Sequence, residues 1–277
     1  MDLKDKVTIV VNTCDSYSDL WPLFAASFEE FWPHRSINLV LNTELITDMN
    51  LDGFNALIHN SNSSFWGERL IQTLDDISTD YVLMLYDDFI IEDFFNESIL
   101  VQITDAMDYD DNISVFYLDL LDLSSKKSQN HIDGFSLISP KADYRLNSAP
   151  GVWRKKDLKL FTGKYDSPWA WEVFGTYKTQ RYAKHFFQPT HTKFYSFNGA
   201  QGGAIYRGKW VEDVVVDKAK KYKLDIDFSE RGFASTSELE RRSFLWKLNF
   251  LWTGFRMVGF DVFKFIFSAI RYKFKRR

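Results

Sequence analysis

Tyr81-Val82-Leu83-Met84-Leu85-Tyr86-Asp87-Asp88 is an apolar run that stops on two adjacent carboxylates. Bounded upstream by the polar Ser78-Thr79-Asp80, Tyr81 to Tyr86 reads as a buried strand. Working outward, Asn62-Ser63-Ser64 offers capping chemistry for a helix from Phe65 to Ile77. Val7 to Asn12 is a second strand, followed by the polar loop Thr13–Tyr17 and a helix from about Asp19 to Phe31. Ile37 to Asn42 and Asn55 to His59 read as further strands. Strands alternating with helices at this spacing predict an α/β fold, a mainly parallel sheet flanked by helices.

In such a sheet ligands bind beyond the carboxyl ends of the strands. Two strands end in suitable polar segments, Val7–Asn12 in Thr13–Tyr17 and Tyr81–Tyr86 in Asp87-Asp88. An acidic pair leaving a buried strand can hold a hard divalent cation such as Mg²⁺ or Mn²⁺, which bridges readily to a diphosphate. A solubilising turn uses the same residues, but the apolar Phe89-Ile90-Ile91 that follows favours a site. No G-x-G-x-x-G follows the first strand and there is no Walker A sequence, so the nucleotide-binding loops of dehydrogenases and P-loop enzymes are absent. The histidines, His34, His59, His131, His185 and His191, lack metal-site spacing, and no G-x-S-x-G supports a hydrolase.

Length and composition agree with a folded α/β body. The chain has 277 residues, 45% hydrophobic and 26% charged, enough for one large domain or two small ones and against disorder or coiled coil. A single cysteine, Cys14, rules out an internal disulfide and Cys-rich zinc sites. The start of the chain has no apolar segment of signal-peptide length, so a cytoplasmic, reduced setting is expected. Charge is unevenly placed: Glu238 to Arg277 carries ten basic and three acidic residues, leaving 24 basic and 35 acidic in the rest. That balance does not predict a nucleic-acid binder. It predicts an acidic body, 1–237, with a basic, aromatic appendage, 238–277.

The segment from Phe65-Trp66-Gly67-Glu68-Arg69-Leu70 through Tyr81–Tyr86 to Asp87-Asp88 resembles the helix, strand and D-x-D motif of GT-A fold glycosyltransferases of the bacterial surface-polysaccharide type. Val7–Asn12 and its loop look like that family's nucleotide-binding first strand. The resemblance covers about residues 1–95 well and extends more weakly to about residue 210, the acceptor-side half. It implies that Asp88 binds the metal, that Asp87 contacts metal or ribose, and that the donor is a nucleotide-diphosphate sugar, UDP-linked by default. Thr13, Asp15 and Tyr17 are assigned to that nucleotide from their place at the strand end, with plain turn residues as the alternative, and Arg69 is assigned with them. The sequence departs from the motif in having Tyr86 where the first carboxylate often stands.

Transfer with inversion needs a base for the acceptor hydroxyl. Glu172 is the candidate, since Ser167-Pro168-Trp169-Ala170-Trp171-Glu172 sets a carboxylate at a helix start beside stacking platforms for sugars. Capping of the helix, with both tryptophans in the core, is the plainer alternative. Trp169, Trp171, Trp153 and Arg154 are assigned to the acceptor, the last two from Gly151-Val152-Trp153-Arg154, a short strand. The glycine-rich Asn198–Gly203 reads as a lid, with Arg207 or Lys209 reaching phosphates.

From Phe255 to Phe274, Asp261, Lys264, Ser268, Arg271 and Lys275 recur at helical spacing among apolar residues. The basic end predicts an amphipathic helix at the inner face of a cell membrane; packing on the body or on a twin subunit in a homodimer is the alternative. Two other functions compete with sugar transfer to a glycan or lipid-linked acceptor. A sugar nucleotidyltransferase wants a glycine- and Lys/Arg-rich first loop, which Asn12–Tyr17 is not. A membrane-bound sugar-binding scaffold would keep the tryptophans without needing the acids.

Overall fold

The computed structural model describes residues 2–47, 51, 54–127, 133–199, 202–234 and 243–275, with side chains described as far as Ser268. His131, Arg241, Arg242, Arg276 and Arg277 lie outside the described residues, as do the Ala200-Gln201 part of the expected lid and the side chains of Arg271, Lys273 and Lys275.

In chain order the elements are α1 (Leu3–Lys6), β1 (Val7–Asn12), α2 (Trp21–Phe31), β2 (Asn38–Thr43), β3 (Leu57–Asn60), α3 (Trp66–Asp76), β4 (Tyr81–Tyr86), α4 (Ser98–Tyr109), β5 (Ile113–Tyr117), β6 (Ser125–Lys127) and β7 (Phe135–Ile138). They continue with β8 (Gly151–Arg154), α5 (Lys155–Phe161), α6 (Pro168–Thr179), β9 (His185–Pro189), β10 (Ile205–Tyr206), β11 (Lys209–Trp210), α7 (Glu212–Tyr222), α8 (Phe244–Val258) and α9 (Val262–Lys275). Nine strands form one sheet in the order β3-β2-β1-β4-β8-β5-β9-β7-β6. β3, β2, β1 and β4 are mutually parallel, and β8 lies antiparallel between β4 and β5. β5 and β9 are parallel, while β7 and β6 add antiparallel pairings at the far edge. This is an α/β fold in which most strands share one direction, and both halves of the chain contribute to the same sheet.

β4 shows why the sheet holds. Val82, Leu83, Met84 and Leu85 are fully buried. Leu83 and Leu85 face a core with Ile9, Val11, Phe24 and Ile103. Val82 and Met84 face the other way, against Val10, Trp66, Leu70 and Trp153. Alternation across the pleat therefore serves two cores, and each buried side chain is worth about 1.5–3 kcal/mol. The loop after β1 departs from the expected helix at Asp19, because Asp15–Leu20 form a 3₁₀ turn before α2 begins. Residues 98–109 and 212–222, without an assignment from sequence, form α4 and α7.

The C-terminal region forms two helices broken at Gly259, whose φ is +61°. Both pack on α6: Phe250, Val258, Val262 and Phe265 join Ala170, Val173 and Phe174 in a third apolar cluster. Asp261 pairs with Arg181 at 2.7 Å, and Ser268 donates to the carboxylate of Asp143. The expected polar stripe is thus partly turned toward the body. Among the described residues, no helix is long and apolar enough to cross a membrane.

Candidate active site

A cavity of about 850 Å³ opens at the carboxyl ends of β1 and β4, where parallel strands direct ligands. β1 contributes Asn12 and then Thr13, Cys14 and Tyr17; β4 contributes Tyr86 and then Asp87, Asp88 and Phe89. α3 supplies Trp66 and Arg69, and α6 supplies Pro168, Trp169 and Glu172. Asn147, Ser148 and Ala149 complete the lining together with Gly202, Tyr206 and Arg207.

The two aspartates do different work. Asp87 is buried, and its Oδ2 accepts from the Thr13 hydroxyl, which in turn accepts from Trp21 Nε1 at 2.7 Å. Burial pushes the Asp87 carboxyl up to about 7 against the lowering effect of these bonds. Among the described residues the Asp88 carboxylate accepts only from its own backbone N–H, and its backbone carbonyl is held by Ala204 N at 2.8 Å. Burial, and after it the Asp87 charge, push Asp88 well above the usual carboxylate range. Among the described residues neither carboxylate has an ion-pair partner, so a cation placed between them and a ligand would relieve real electrostatic cost.

Asp88 is therefore the carboxylate suited to Mg²⁺ or Mn²⁺, which commonly bind through one or two carboxylates and complete their shell with phosphate oxygens and water. The described residues contain no cluster of three His, Cys, Asp or Glu that could hold a metal alone. Asp87 Oδ2 accepts from Thr13, which leaves Oδ1 as the oxygen through which the expected metal or ribose contact would be made.

Glu172 lies in the second turn of α6, behind the Ser167 cap whose hydroxyl receives the Ala170 N–H. Its Oε1 accepts from Ser148 N at 2.7 Å and from the Ser148 hydroxyl. Burial raises its carboxyl above the ordinary glutamate value, with the two Ser148 bonds opposing. Oε2 receives no hydrogen bond among the described residues, which leaves one oxygen able to take a proton.

Among the described residues, three buried polar atoms of residues lining the cavity lack a well-formed hydrogen bond: Tyr86 OH and Trp66 Nε1, which lie close to each other, and Arg69 Nε. Buried donors are rarely left unmade, and here all three are donors around one space. The rest of the Arg69 guanidinium binds Glu44 at 2.9 Å and the Thr13 carbonyl at 3.1 Å, tying α3 to the first loop. The wall is thus shaped for a ligand rich in acceptor oxygens.

Of the residues expected at the site, Thr13, Tyr17, Arg69, Asp87, Asp88, Trp169, Glu172 and Arg207 line this cavity. Others do not. Asp15 instead receives the N–H groups of Glu44, Leu45 and Ile46 at 3.0, 2.9 and 3.2 Å, bracing the turn after β2. Trp153 and Trp171 are fully buried against each other, with Trp66 and Phe186 alongside, because both point into the sheet's inner core. Arg154 lies at the other end of the sheet, where it donates to the carbonyls of Ile113 and Asp110 at 3.0 and 3.1 Å. Lys209 is exposed on β11, away from the lining. Sequence reading missed Ser148, Tyr86, Trp66 and Asp119; Ser148 carried a usable signal, a polar residue just ahead of the strand-starting Pro150-Gly151.

No protein-family model matches the sequence, and a search of curated proteins finds no match. Among solved structures, the chain is similar to S. aureus TarS residues 1–349, with 13% identity and a TM-score of 0.48, covering 93% of this chain and 82% of that one. The galactosyltransferase LgtC, solved with donor and acceptor sugar analogues, shares 17% identity at a TM-score of 0.36, over 55% of this chain and 59% of its own. A CMP:2-keto-3-deoxy-manno-octonic acid synthetase complexed with CTP shares 12% at 0.41, over 66% and 88%. At these values the likeness is one of chain trace, and the functional reading stands on the cavity itself.

Proposed function

We propose that this cavity is the active site of a GT-A-like glycosyltransferase, moving a sugar from a nucleotide-diphosphate donor, UDP-linked by default, to a hydroxyl of a glycan or lipid-linked acceptor. The observation that carries the reading is the pairing, in one cavity, of a carboxylate free for a cation, Asp88, with a braced and basic carboxylate, Glu172.

The nucleotide end lies along Thr13, Tyr17 and Arg69, with the diphosphate toward Asp88. Asp88 would hold a divalent cation, which would supply positive charge against the diphosphate. Arg69 Nε donates to an oxygen of the bound donor, and Tyr86 OH and Trp66 Nε1 line the same space. Glu172 Oε2 takes the proton of the acceptor hydroxyl as that oxygen attacks the anomeric carbon, the bond to the diphosphate breaks, and configuration inverts. Ser148 holds Oε1 so that Oε2 faces the acceptor, and Trp169 offers the sugar a stacking face. Burial keeps the Glu172 carboxylate more basic than a solvated one, which strengthens it as a proton acceptor.

Turnover of nucleotide sugars by Glu172→Gln and Asp88→Asn tests the reading. Glu172→Gln should lower kcat by about 10²–10⁴ with donor affinity retained. Asp88→Asn should weaken cation-dependent donor binding. Unchanged turnover in both variants overturns the mechanism.

A further inference from the structure

We infer that the outward face of the two C-terminal helices docks on an anionic membrane surface. The inward face is already spoken for: Phe250 and Gly254 of α8 and Val262 and Phe265 of α9 lie on α6. A helix that packs one stripe on its own body should be polar on the other side. Here the other side is apolar. Leu248, Trp252 and Phe255 follow 4,3 spacing along α8 and are 47%, 62% and 38% exposed. Phe260, Phe263 and Phe267 continue at 3,4 spacing and are 79%, 50% and 71% exposed.

The rings form one strip across the break between the helices. Trp252 and Phe255 are 5.8 Å apart, Phe255 and Phe260 5.8 Å, and Phe260 and Phe263 6.4 Å between centroids. With about 150–250 Å² per aromatic side chain, the exposed fractions amount to on the order of 600 Å² of contiguous apolar surface. That is at or beyond the largest patch an ordinary monomer leaves open.

Charge selects the occupant. Residues 238–277 carry ten basic and three acidic groups; Lys247, Arg256 and Lys264 are exposed on the same helices, Lys264 pairing with Asp261 at 3.0 Å. Pairing with the same strip of a second copy would set two strongly positive tails against each other. An anionic lipid surface attracts the tail and repels the acidic body, so the helix pair is the part that approaches. Phe and Trp beside Lys and Arg suit the headgroup boundary, where apolar rings enter and charges stay wet. No described helix can span, so the pair lies in the interface. The contact also reaches the cavity: Trp169, on its rim, stacks on Trp246 at 4.7 Å and Phe250 at 4.4 Å of α8.

Flotation of the full-length chain tests this independently of any transferase activity. The protein should float with vesicles of phosphatidylglycerol and phosphatidylcholine in equal parts, less so in high salt, and not with phosphatidylcholine alone. The combined variant Phe260→Ser, Phe263→Ser and Phe267→Ser should lower the bound-to-free ratio by about tenfold or more, with the melting temperature unchanged because these rings are exposed. Leu248→Ser with Trp252→Ser, on the other helix, should give the same loss. Binding that neither variant weakens, or no binding to anionic vesicles, overturns the inference. So does a lipid-free dimer, seen by light scattering, that these substitutions dissolve.

Discussion

Gly203 offers a test of how tightly Asp88 must be placed. Its φ is +136°, and a Cβ there would stand 2.7 Å from the Asp88 carbonyl oxygen and 2.8 Å from Oδ2. Ordinary contact begins at 3.4 Å, so Gly203→Ala requires Asp88 or the 203 backbone to move by roughly 0.6 Å. Misplacement of a reacting group by 1 Å can cost about 10² in rate, which puts this displacement at about tenfold in kcat/KM for the donor. The backbone conformation itself costs an alanine about 1–3 kcal/mol, equivalent to a melting temperature lower by about 2–10 °C. Gly202 separates the two effects, because its φ is +97° yet a Cβ there meets nothing within 4 Å. Both variants should therefore lose stability in a thermal melt, Gly203→Ala more because it adds the clash with Asp88 to the backbone cost. Only Gly203→Ala should also lose Mg²⁺-dependent affinity for a nucleotide sugar by calorimetry. Equal donor affinity in the two variants would refute the assignment of Asp88 and of the strand-entry glycine that abuts it.

Asp87→Asn should stabilise the protein at high pH: burial lifts the native carboxyl to about 7, so the native state holds the proton more tightly than the unfolded chain, whose aspartates titrate near ~3.9. That stabilisation is complete below pH ~4 and lost as pH rises through 7, so in chelator the variant should match wild type at pH 4 and melt higher at pH 8, by at most about 4 kcal/mol. Equal melting at pH 8 counts against it. Trp153→Ala should cost about 3–5 kcal/mol in urea unfolding, and Trp153→Phe should leave acceptor KM unmoved; a KM effect would return Trp153 to the site. Gly254→Val places a Cβ 2.5 Å from the Phe174 ring and should lift α8 from α6, exposing residues 243–275 to limited proteolysis before the body is cut.

β4 and β8 were legible to the residue, Tyr81–Tyr86 and Gly151–Arg154, because each is a short apolar run with polar residues or proline at its edge. α4 escaped although Ile99, Leu100, Ile103 and Met107 repeat at helical spacing and are buried. β7 and β9 are four and five residues long, and pairing with distant strands rather than local pattern makes them strands. That Asp87, Asp88 and Glu172 share a cavity was legible, while the tryptophans divide, Trp169 on the cavity and Trp153 and Trp171 in the core, since an indole serves a core and a sugar platform equally well. Helical arithmetic was the missing step. Trp169 and Glu172 are three apart and share a face of α6, whereas Trp171 is two from Trp169 and must point away.

Arg154 makes the same point for the sheet and shows where the site draws its second wall. β8 runs antiparallel to β4, so Arg154 pairs with Tyr81 and Gly151 with Met84. The ligand edge lies at the end of β4 that carries Asp87 and Asp88, which is the start of β8 and not its finish. Residues after β8 are therefore carried away from the cavity, and Arg154 donates instead to the Asp110 carbonyl at the end of α4 and the Ile113 carbonyl at the start of β5. Residues before β8 are carried into it, which is why Asn147, Ser148 and Ala149 line the cavity and Ser148 can brace Glu172. Strand direction is invisible in a four-residue apolar run. Here it alone decides which flank of Gly151–Arg154 meets the cavity: Ser148 and its neighbours, and not Trp153 and Arg154.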